Sequence, residues 1–99
     1  MKIEIINAPS KAFLEMILNN VRLSDRKRLE IAHPGAVGLI QASLIDLFKS
    51  ADLAEKASDI TTVLVLGNCP QHIQMLAIFG KQAGVKTALN KICEIYNKK

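Results

Sequence analysis

The sequence predicts an α+β domain in which helices pack on a mostly antiparallel sheet. Three observations support this. Short strand-like and helix-like segments alternate along a chain of 99 residues, which is the length of one domain. Apolar residues make up 49% of the sequence and aromatic residues only 4%, so the core must be aliphatic. Two β-branched and apolar runs are separated by a short turn, which is the pattern of a hairpin.

The N-terminal third predicts one strand and one helix. The run Lys2 to Ile6 alternates polar and apolar residues, as strands do. Asn7 to Ser10 opens a helix, and Pro9 is suited to its first turn. The charged segment Arg22 to Glu30 shows no clear period, so we interpret residues 20–33 as a loop or a short helical turn.

The middle of the chain predicts a buried strand followed by a helix. The strand covers Ala36 to Ile40, which are all small or apolar. Ser43, with Asp46 three residues later, resembles a capping box, so the helix should run from Leu44 to about Ser58. The residues expected on its buried face are Leu44, Leu47, Phe48, Ala51, Ala54 and Ala57.

The C-terminal half predicts a strand, a turn, a return strand and a last helix. Thr61 to Leu66 is β-branched and apolar, which is typical of a central strand. Gly67 to His72 forms the turn, and Ile73 to Phe79 is the return strand. The last helix covers Gln82 to Tyr96, and its apolar stripe contains Val85, Ala88, Leu89, Ile92, Cys93 and Tyr96. The predicted order is therefore β-α-β-α-β-β-α.

Charge and composition argue against several function classes. The net charge of +4 is a modest excess, and the basic residues are not clustered with aromatic ones, so we expect no nucleic-acid partner. No run approaches ~18 apolar residues, so we expect no membrane partner. The short N-terminal apolar run does not resemble a signal peptide, which favours a cytoplasmic location. The sequence has no G-x-S-x-G motif, no H-E-x-x-H motif and no glycine-rich phosphate loop, so we do not expect an enzyme.

The turn from Gly67 to His72 is the one unusual local feature. Gly67 lets the backbone bend sharply, while Pro70 pushes Cys69 toward an extended conformation. From the residues alone, a hairpin turn that happens to contain a cysteine is favoured, and His72 is an exposed loop residue. A metal or redox role for Cys69 stays the alternative, since one cysteine per chain cannot fill a four-ligand site.

Other candidate residues have simpler interpretations. Cys93 falls on the apolar stripe of the last helix and is interpreted as a small core residue. His33, before Pro34, is interpreted as a loop residue. A basic run is interpreted as a solvated face, with contact to a neighbouring subunit or an acidic partner as the alternative. Its members are Arg22, Arg26, Lys27 and Arg28.

Three segments resemble the bacterial microcompartment shell domain and occur in that family's order. Ala36 to Ile40 resembles its first sheet strand, and Ala51 to Ala57 resembles its helix signature A-D-x-x-x-K-A. Phe79 to Ala88 is similar to its segment G-D-x-x-x-V-x-x-A, although Lys81 replaces the usual Asp. The resemblance implies one ferredoxin-like shell domain over residues 1–99.

The resemblance also implies a circular permutation. The family's usual last strand and helix are missing at the C-terminus, and an extra strand and helix stand at the N-terminus instead. Residues 1–35 would be the permuted strand and helix, and residues 36–96 the core in family order. The resemblance further implies a cyclic homo-hexamer in the facet of a microcompartment shell, with other shell proteins as partners.

Within the family, the loop between the second and third matched strands lines the central pore of the hexamer. Here that loop comprises Gly67, Asn68, Cys69, Pro70, Gln71 and His72. Its pattern G-x-C-P-Q resembles divergent shell proteins of glycyl-radical-enzyme microcompartments, a subgroup associated with an iron–sulfur cluster in the pore. The resemblance implies that Cys69 binds a [4Fe–4S] cluster shared between subunits, for electron transfer or pore control.

The family also places a lysine at the hexamer edge, where hexamers meet side by side. Lys56 matches that position, and its alternative is an ordinary surface lysine. Two other functions stay open. A small-molecule-sensing regulatory domain would form dimers or trimers, and a small enzyme subunit would use Cys69 as an easily ionised nucleophile.

Overall fold

The computed structural model describes residues 1–30, 34–65 and 74–96. Its elements are β1 (Lys2–Asn7), α1 (Lys11–Leu18), α2 (Leu23–Glu30), β2 (Ala36–Ala42), α3 (Leu44–Ala57), β3 (Thr61–Val65), β4 (Gln74–Gly80) and α4 (Gln82–Tyr96). The predicted elements are present, and α2 is an additional helix in the segment that was expected to be a loop or a short turn. Leucine, arginine, lysine and glutamate favour helix even without an apolar stripe, which explains α2.

One four-stranded sheet organises the chain, with the strand order β1-β2-β4-β3. The three pairings between described strands are all antiparallel. In the middle of the sheet, Gly38 pairs with Ile5 on one side and with Ile78 on the other. The prediction of an α+β domain with helices on a mostly antiparallel sheet is therefore confirmed.

Two apolar clusters cover the two faces of the sheet, since alternate strand residues point to opposite faces. The cluster between the sheet and helices α3 and α4 contains the fully buried residues Ile40, Leu47, Ile78, Val85 and Ile92. The cluster on the other face contains Ile17 of α1 with Val37, Val63, Val65, Ala77 and Phe79. Helices therefore cover both faces of the sheet.

The start of α1 is fixed by a helix cap and a tight turn. The side chain of Ser10 accepts a hydrogen bond of 3.1 Å from the N–H of Phe13, which is a typical N-cap. Pro9 precedes this cap, so its predicted place in the first helical turn is wrong. Ala8 has a φ of 47°, and its N–H donates to the carbonyl of Gly35 at 2.9 Å. This hydrogen bond connects the turn before α1 to the residue that precedes β2.

Helix α4 lies close to β2 because Gly38 has no side chain. A Cβ atom at this position would be 3.0 Å from Cδ1 of Leu89, which is closer than ordinary van der Waals contact. Most of the predicted apolar stripe of α4 is buried, namely Val85, Ala88, Leu89 and Ile92. Cys93 and Tyr96 are only half-buried, because Cys93 lies at the margin of the stripe and Tyr96 lies in the last turn.

Helix α3 buries only part of the predicted stripe: Leu47 and Ala54 are buried as predicted, and Ala51 and Ala57 are half-buried. Leu47, Ser50 and Ala54 are buried, whereas Leu44 and Phe48 are exposed at 38% and 60%. The expectation that Leu44 and Phe48 belong to the core is therefore wrong. The small side chains of Ser50 and Ala54 let α3 approach the sheet and α4 closely, and this orientation turns the neighbouring apolar residues outward.

Candidate functional site

The segment predicted to form the pore loop connects β3 to β4. Val65 pairs with Met75, so residues 66–73 join the two strands at one end of the sheet, which we call the hairpin end. The predicted pore residues Gly67, Asn68, Cys69, Pro70, Gln71 and His72 lie outside the described residues, as does His33. Their roles, and the role of Cys69 as a cluster ligand, stay predictions.

The first turn of α3 lies at the hairpin end as well. Ala42, the last residue of β2, pairs with Gln74, which is next to Met75. Helix α3 begins two residues later at Leu44. The other end of α3 lies near the start of β3, where the hydroxyl of Thr62 donates a hydrogen bond to the carboxylate of Glu55. The helix therefore runs from the hairpin end of the sheet to the opposite end.

The predicted edge residue Lys56 lies at the end of α3 that is remote from the hairpin. Its Nζ is 2.8 Å from Oδ2 of Asp52, and the two side chains are 74% and 62% exposed. The hydrogen bond and the charge of Asp52 raise the pKa of Lys56 above its ordinary value. An exposed pair of this kind contributes little to stability. The sequence predicts this ion pair, because an acidic residue four positions before a lysine lies beside it on the surface of a helix.

An exposed apolar stripe on the first half of α3 was missed by sequence reasoning. Leu44, Ile45 and Phe48 are 38%, 77% and 60% exposed. The available signal was Ile45, which is apolar but lies outside the predicted buried face. A helix that carries more apolar residues than one face can bury leaves some of them on the surface.

A buried polar cluster lies between α3 and α4. The hydroxyl oxygens of Ser50 and Tyr96 are both buried there. Burial, reinforced by the negative charge of Asp46, raises the pKa of Tyr96 above its ordinary value. The Nζ of Lys49 lies 5.8 Å from the centre of the Tyr96 ring.

The capping box predicted at the start of α3 is not formed. The hydroxyl of Ser43 donates a hydrogen bond of 3.0 Å to Oδ2 of Asp46, and the Ser43 side chain makes no capping hydrogen bond to the backbone.

Ionisation of Tyr96 is expected to destabilise the fold at high pH. Because the pKa of Tyr96 is higher in the folded than in the unfolded chain, its stabilising contribution is complete below about pH 10 and is lost as the pH rises through the folded pKa. Tyr96 is the only tyrosine, so phenolate absorbance follows its titration directly. We expect the pH midpoint of this titration to be lower in denaturant than in the folded protein. We also expect Tyr96→Phe to lose less stability at alkaline pH than the wild-type protein. A native midpoint equal to the denatured one would contradict this prediction.

The described residues do not form a metal centre by themselves. Within residues 1–30, 34–65 and 74–96, no group of three or more His, Cys, Asp or Glu is arranged to hold a metal ion. Cys93 on α4 is a free thiol. In the same part of the chain, no helix combines the length and the apolar character needed to cross a membrane.

Two solved structures are similar to this chain over nearly its whole length. The ligand-free structure of the GrpU microcompartment shell protein from Pectobacterium wasabiae is 34% identical with a TM-score of 0.76, and the alignment covers 92% of this chain and 98% of that chain. The ligand-free structure of the GrpU microcompartment shell protein from Clostridiales bacterium 1_7_47FAA is 26% identical with a TM-score of 0.70, covering 99% and 94%. No protein-family model and no curated protein matches the sequence. The similarity is one of the whole fold, not of a single motif.

Proposed function

We propose that this chain, which belongs to the family of GrpU microcompartment shell proteins, forms a cyclic hexamer whose central pore is lined by Cys69. Family membership gives the chain a structural role and a location in the shell of a microcompartment. The proposed hexamer would serve as a barrier and conduit without catalysing a reaction, and it would associate with other shell proteins in the facet.

The positions of Lys56 and of the hairpin at opposite ends of the sheet carry this proposal. The segment that contains Cys69 begins after Val65, whereas Lys56 follows Glu55, which contacts Thr62 at the start of β3. A strand of 5 residues is about 16 Å long. A ring can therefore gather six hairpins around its axis while six copies of Lys56 remain on the perimeter.

The chemistry of cysteine supports an iron–sulfur cluster at the centre of such a ring. A [4Fe–4S] cluster is held by four thiolates, and a hexamer with one Cys69 per chain would supply six. The other cysteine, Cys93, is a half-buried free thiol on α4. When bound, a cluster of this kind transfers one electron at a time. The proposed pore would then pass electrons while it blocks larger molecules.

Purification without oxygen tests the ring and the cluster in one preparation. The expected protein is brown, has the mass of six 10.9 kDa chains and contains about four iron atoms per hexamer. Cys69→Ser is expected to abolish bound iron and to leave the hexamer intact. Cys93→Ser is the matched control, and it should keep both the iron and the hexamer.

Each alternative result contradicts a different part of the proposal. A colourless hexamer would contradict the cluster and leave Cys69 as a pore-lining residue. Iron retained by Cys69→Ser would contradict the choice of ligand. A dimer or trimer would contradict the ring and favour a small-molecule-sensing domain.

A further inference from the structure

A cleft lies between the edge strand β1 and helix α4. Its volume is about 560 Å³, which is within the range of small-molecule sites. Ile3 of β1 packs against the cluster between the sheet and helices α3 and α4. Ile5 and Asn7 lie on the same face of β1 as Ile3, but α4 does not cover them fully, since Ile5 is 36% exposed. The space left between β1 and α4 is the cleft.

The floor of the cleft is apolar because of Gly38. Ile5 pairs with Gly38 across the sheet, and Leu89 of α4 lies against Gly38, where a Cβ would be 3.0 Å from its Cδ1 atom. Leu89 therefore sits low beside Ile5, and both side chains line the cleft together with Ala83. A floor of this kind favours a ligand with an aliphatic body.

A polar rim follows α4 along the cleft. Gln82, Lys86 and Asn90 follow one another at intervals of four residues, so they lie on one face of the helix, and all three line the cleft. Eight residues of helix span about 12 Å. The rim therefore presents an amide at each end and a cation between them.

Asn7 adds a polar group at the end of the cleft where α4 begins. Asn7 pairs with Ala36, and the adjacent Gly35 lies so close to α4 that a Cβ there would be 3.2 Å from the backbone nitrogen of Gln82. Asn7 and Gln82 therefore line the same end of the cleft. The partial positive charge of a helix N-terminus favours a negative group at this end.

The lining of the cleft carries positive charge without a compensating acid. Lys86 is the charged member of the described residues that line it, and within the described part of the chain Lys86 has no ion-pair partner. Glu4 of β1 lies on the opposite face of its strand. The amide groups of Asn7, Gln82 and Asn90 can each donate two hydrogen bonds. The cleft therefore suits an anion that accepts hydrogen bonds.

We infer that this cleft binds a small aliphatic carboxylate. The carboxylate lies between Lys86 and the end of the cleft at Asn7, and the aliphatic body lies over Ile5 and Leu89. An inorganic anion would leave the apolar floor unused, and a neutral aliphatic molecule would leave the charge of Lys86 unpaired. The inference goes beyond the proposed function, because all residues of the cleft come from one chain and none of them belongs to the hairpin that contains Cys69.

A ligand-detected NMR titration with hexanoate tests the charge of the site. We expect Lys86→Met to weaken hexanoate binding by about tenfold or more, because a charge-assisted hydrogen bond is lost. Lys91→Met is the matched control, since Lys91 is exposed on the same helix and does not line the cleft, and it should keep the affinity of the wild-type protein. Hexanamide, the uncharged analogue, should bind the wild-type protein about tenfold more weakly than hexanoate.

Filling the cleft tests its location. Ala83 is exposed in the first turn of α4 and lines the cleft, so Ala83→Phe places a ring in the cleft without entering the core. We expect this variant to lose detectable hexanoate binding and Ala83→Ser to keep it. Circular dichroism verifies that both variants are folded.

The results separate this inference from the proposed function. A wild-type protein that does not bind hexanoate, or a Lys86→Met variant that binds it equally well, would overturn the site. Equal affinity for hexanamide would overturn the choice of a carboxylate, and binding that survives in a folded Ala83→Phe variant would overturn the location. None of these results bears on the hexamer or on Cys69, which are tested by mass and by bound iron.

Discussion

Replacing Ile78 by alanine is expected to lower the free energy of unfolding by about 4 kcal/mol. Ile78 is fully buried in the inner strand β4, and its side chain belongs to the cluster between the sheet and helices α3 and α4. Its neighbour across the sheet on β2 is Gly38, which has no side chain to move into the space left behind. The cavity therefore stays open, which places the loss toward the upper end of the usual range.

Urea unfolding followed by circular dichroism measures this loss. The matched control is Ile95→Ala, because Ile95 is 41% exposed in the last full turn of α4. We expect this control to lose about 1 kcal/mol or less. All samples need one protein concentration, since assembly adds to apparent stability. Equal losses in the two variants would contradict the central position of Ile78 in the core.

The two long helices show why periodicity predicts one buried face well and another poorly. The sequence of α4 contains one apolar stripe, and the four residues at its centre are all buried. The sequence of α3 contains apolar residues around more of its circumference, so spacing alone does not choose between stripes. The stripe that packs includes Ser50, which is 0% exposed. A pattern based on apolar residues does not predict that a serine lies at the centre of a buried face.

The other elements of the fold were predictable where their sequence carries an apolar pattern and not where it is mainly charged. The strands were predictable because their runs are apolar and β-branched. Where the structure describes the predicted ends, the observed bounds at Asn7, Ala42 and Gly80 lie one or two residues beyond the predicted ones. Helix α2 was not predictable from an apolar period, since its eight residues are mainly charged. Its helical character comes from backbone propensity, which is a weak signal in a short segment.

The candidate site was less predictable than the fold because its parts belong to an assembly. One chain shows where the hairpin begins and that Lys56 pairs with Asp52. A pore and a hexamer edge are properties of several chains, and a single sequence suggests them only through resemblance to a family. The exposed residues Ile45 and Phe48 show a related limit, because the sequence pattern alone does not distinguish an exposed apolar residue on a helix from a buried one.

Lys56→Asp is expected to prevent hexamers from joining into sheets without breaking the hexamer. The proposed function places Lys56 on the ring perimeter, where it would meet the edge of a neighbouring hexamer. Within the chain, the change replaces the ion pair with Asp52 by two like charges four residues apart, which costs only a few tenths of a kcal/mol. Between rings, repeated like charges at every edge are strongly unfavourable. We expect at least a tenfold loss of ordered sheets in electron micrographs.

The control for this effect is Lys49→Asp, which makes the same change of charge on the same helix. Lys49 lies beside the ring of Tyr96, about two turns from Lys56 along α3. If sheet formation depends on the edge, Lys49→Asp should keep its sheets while Lys56→Asp loses them at equal ring mass. Loss of sheets in both variants would point to net charge as the cause. If sheets persist in Lys56→Asp, Lys56 is an ordinary surface lysine, and other residues make the lateral contacts of the shell.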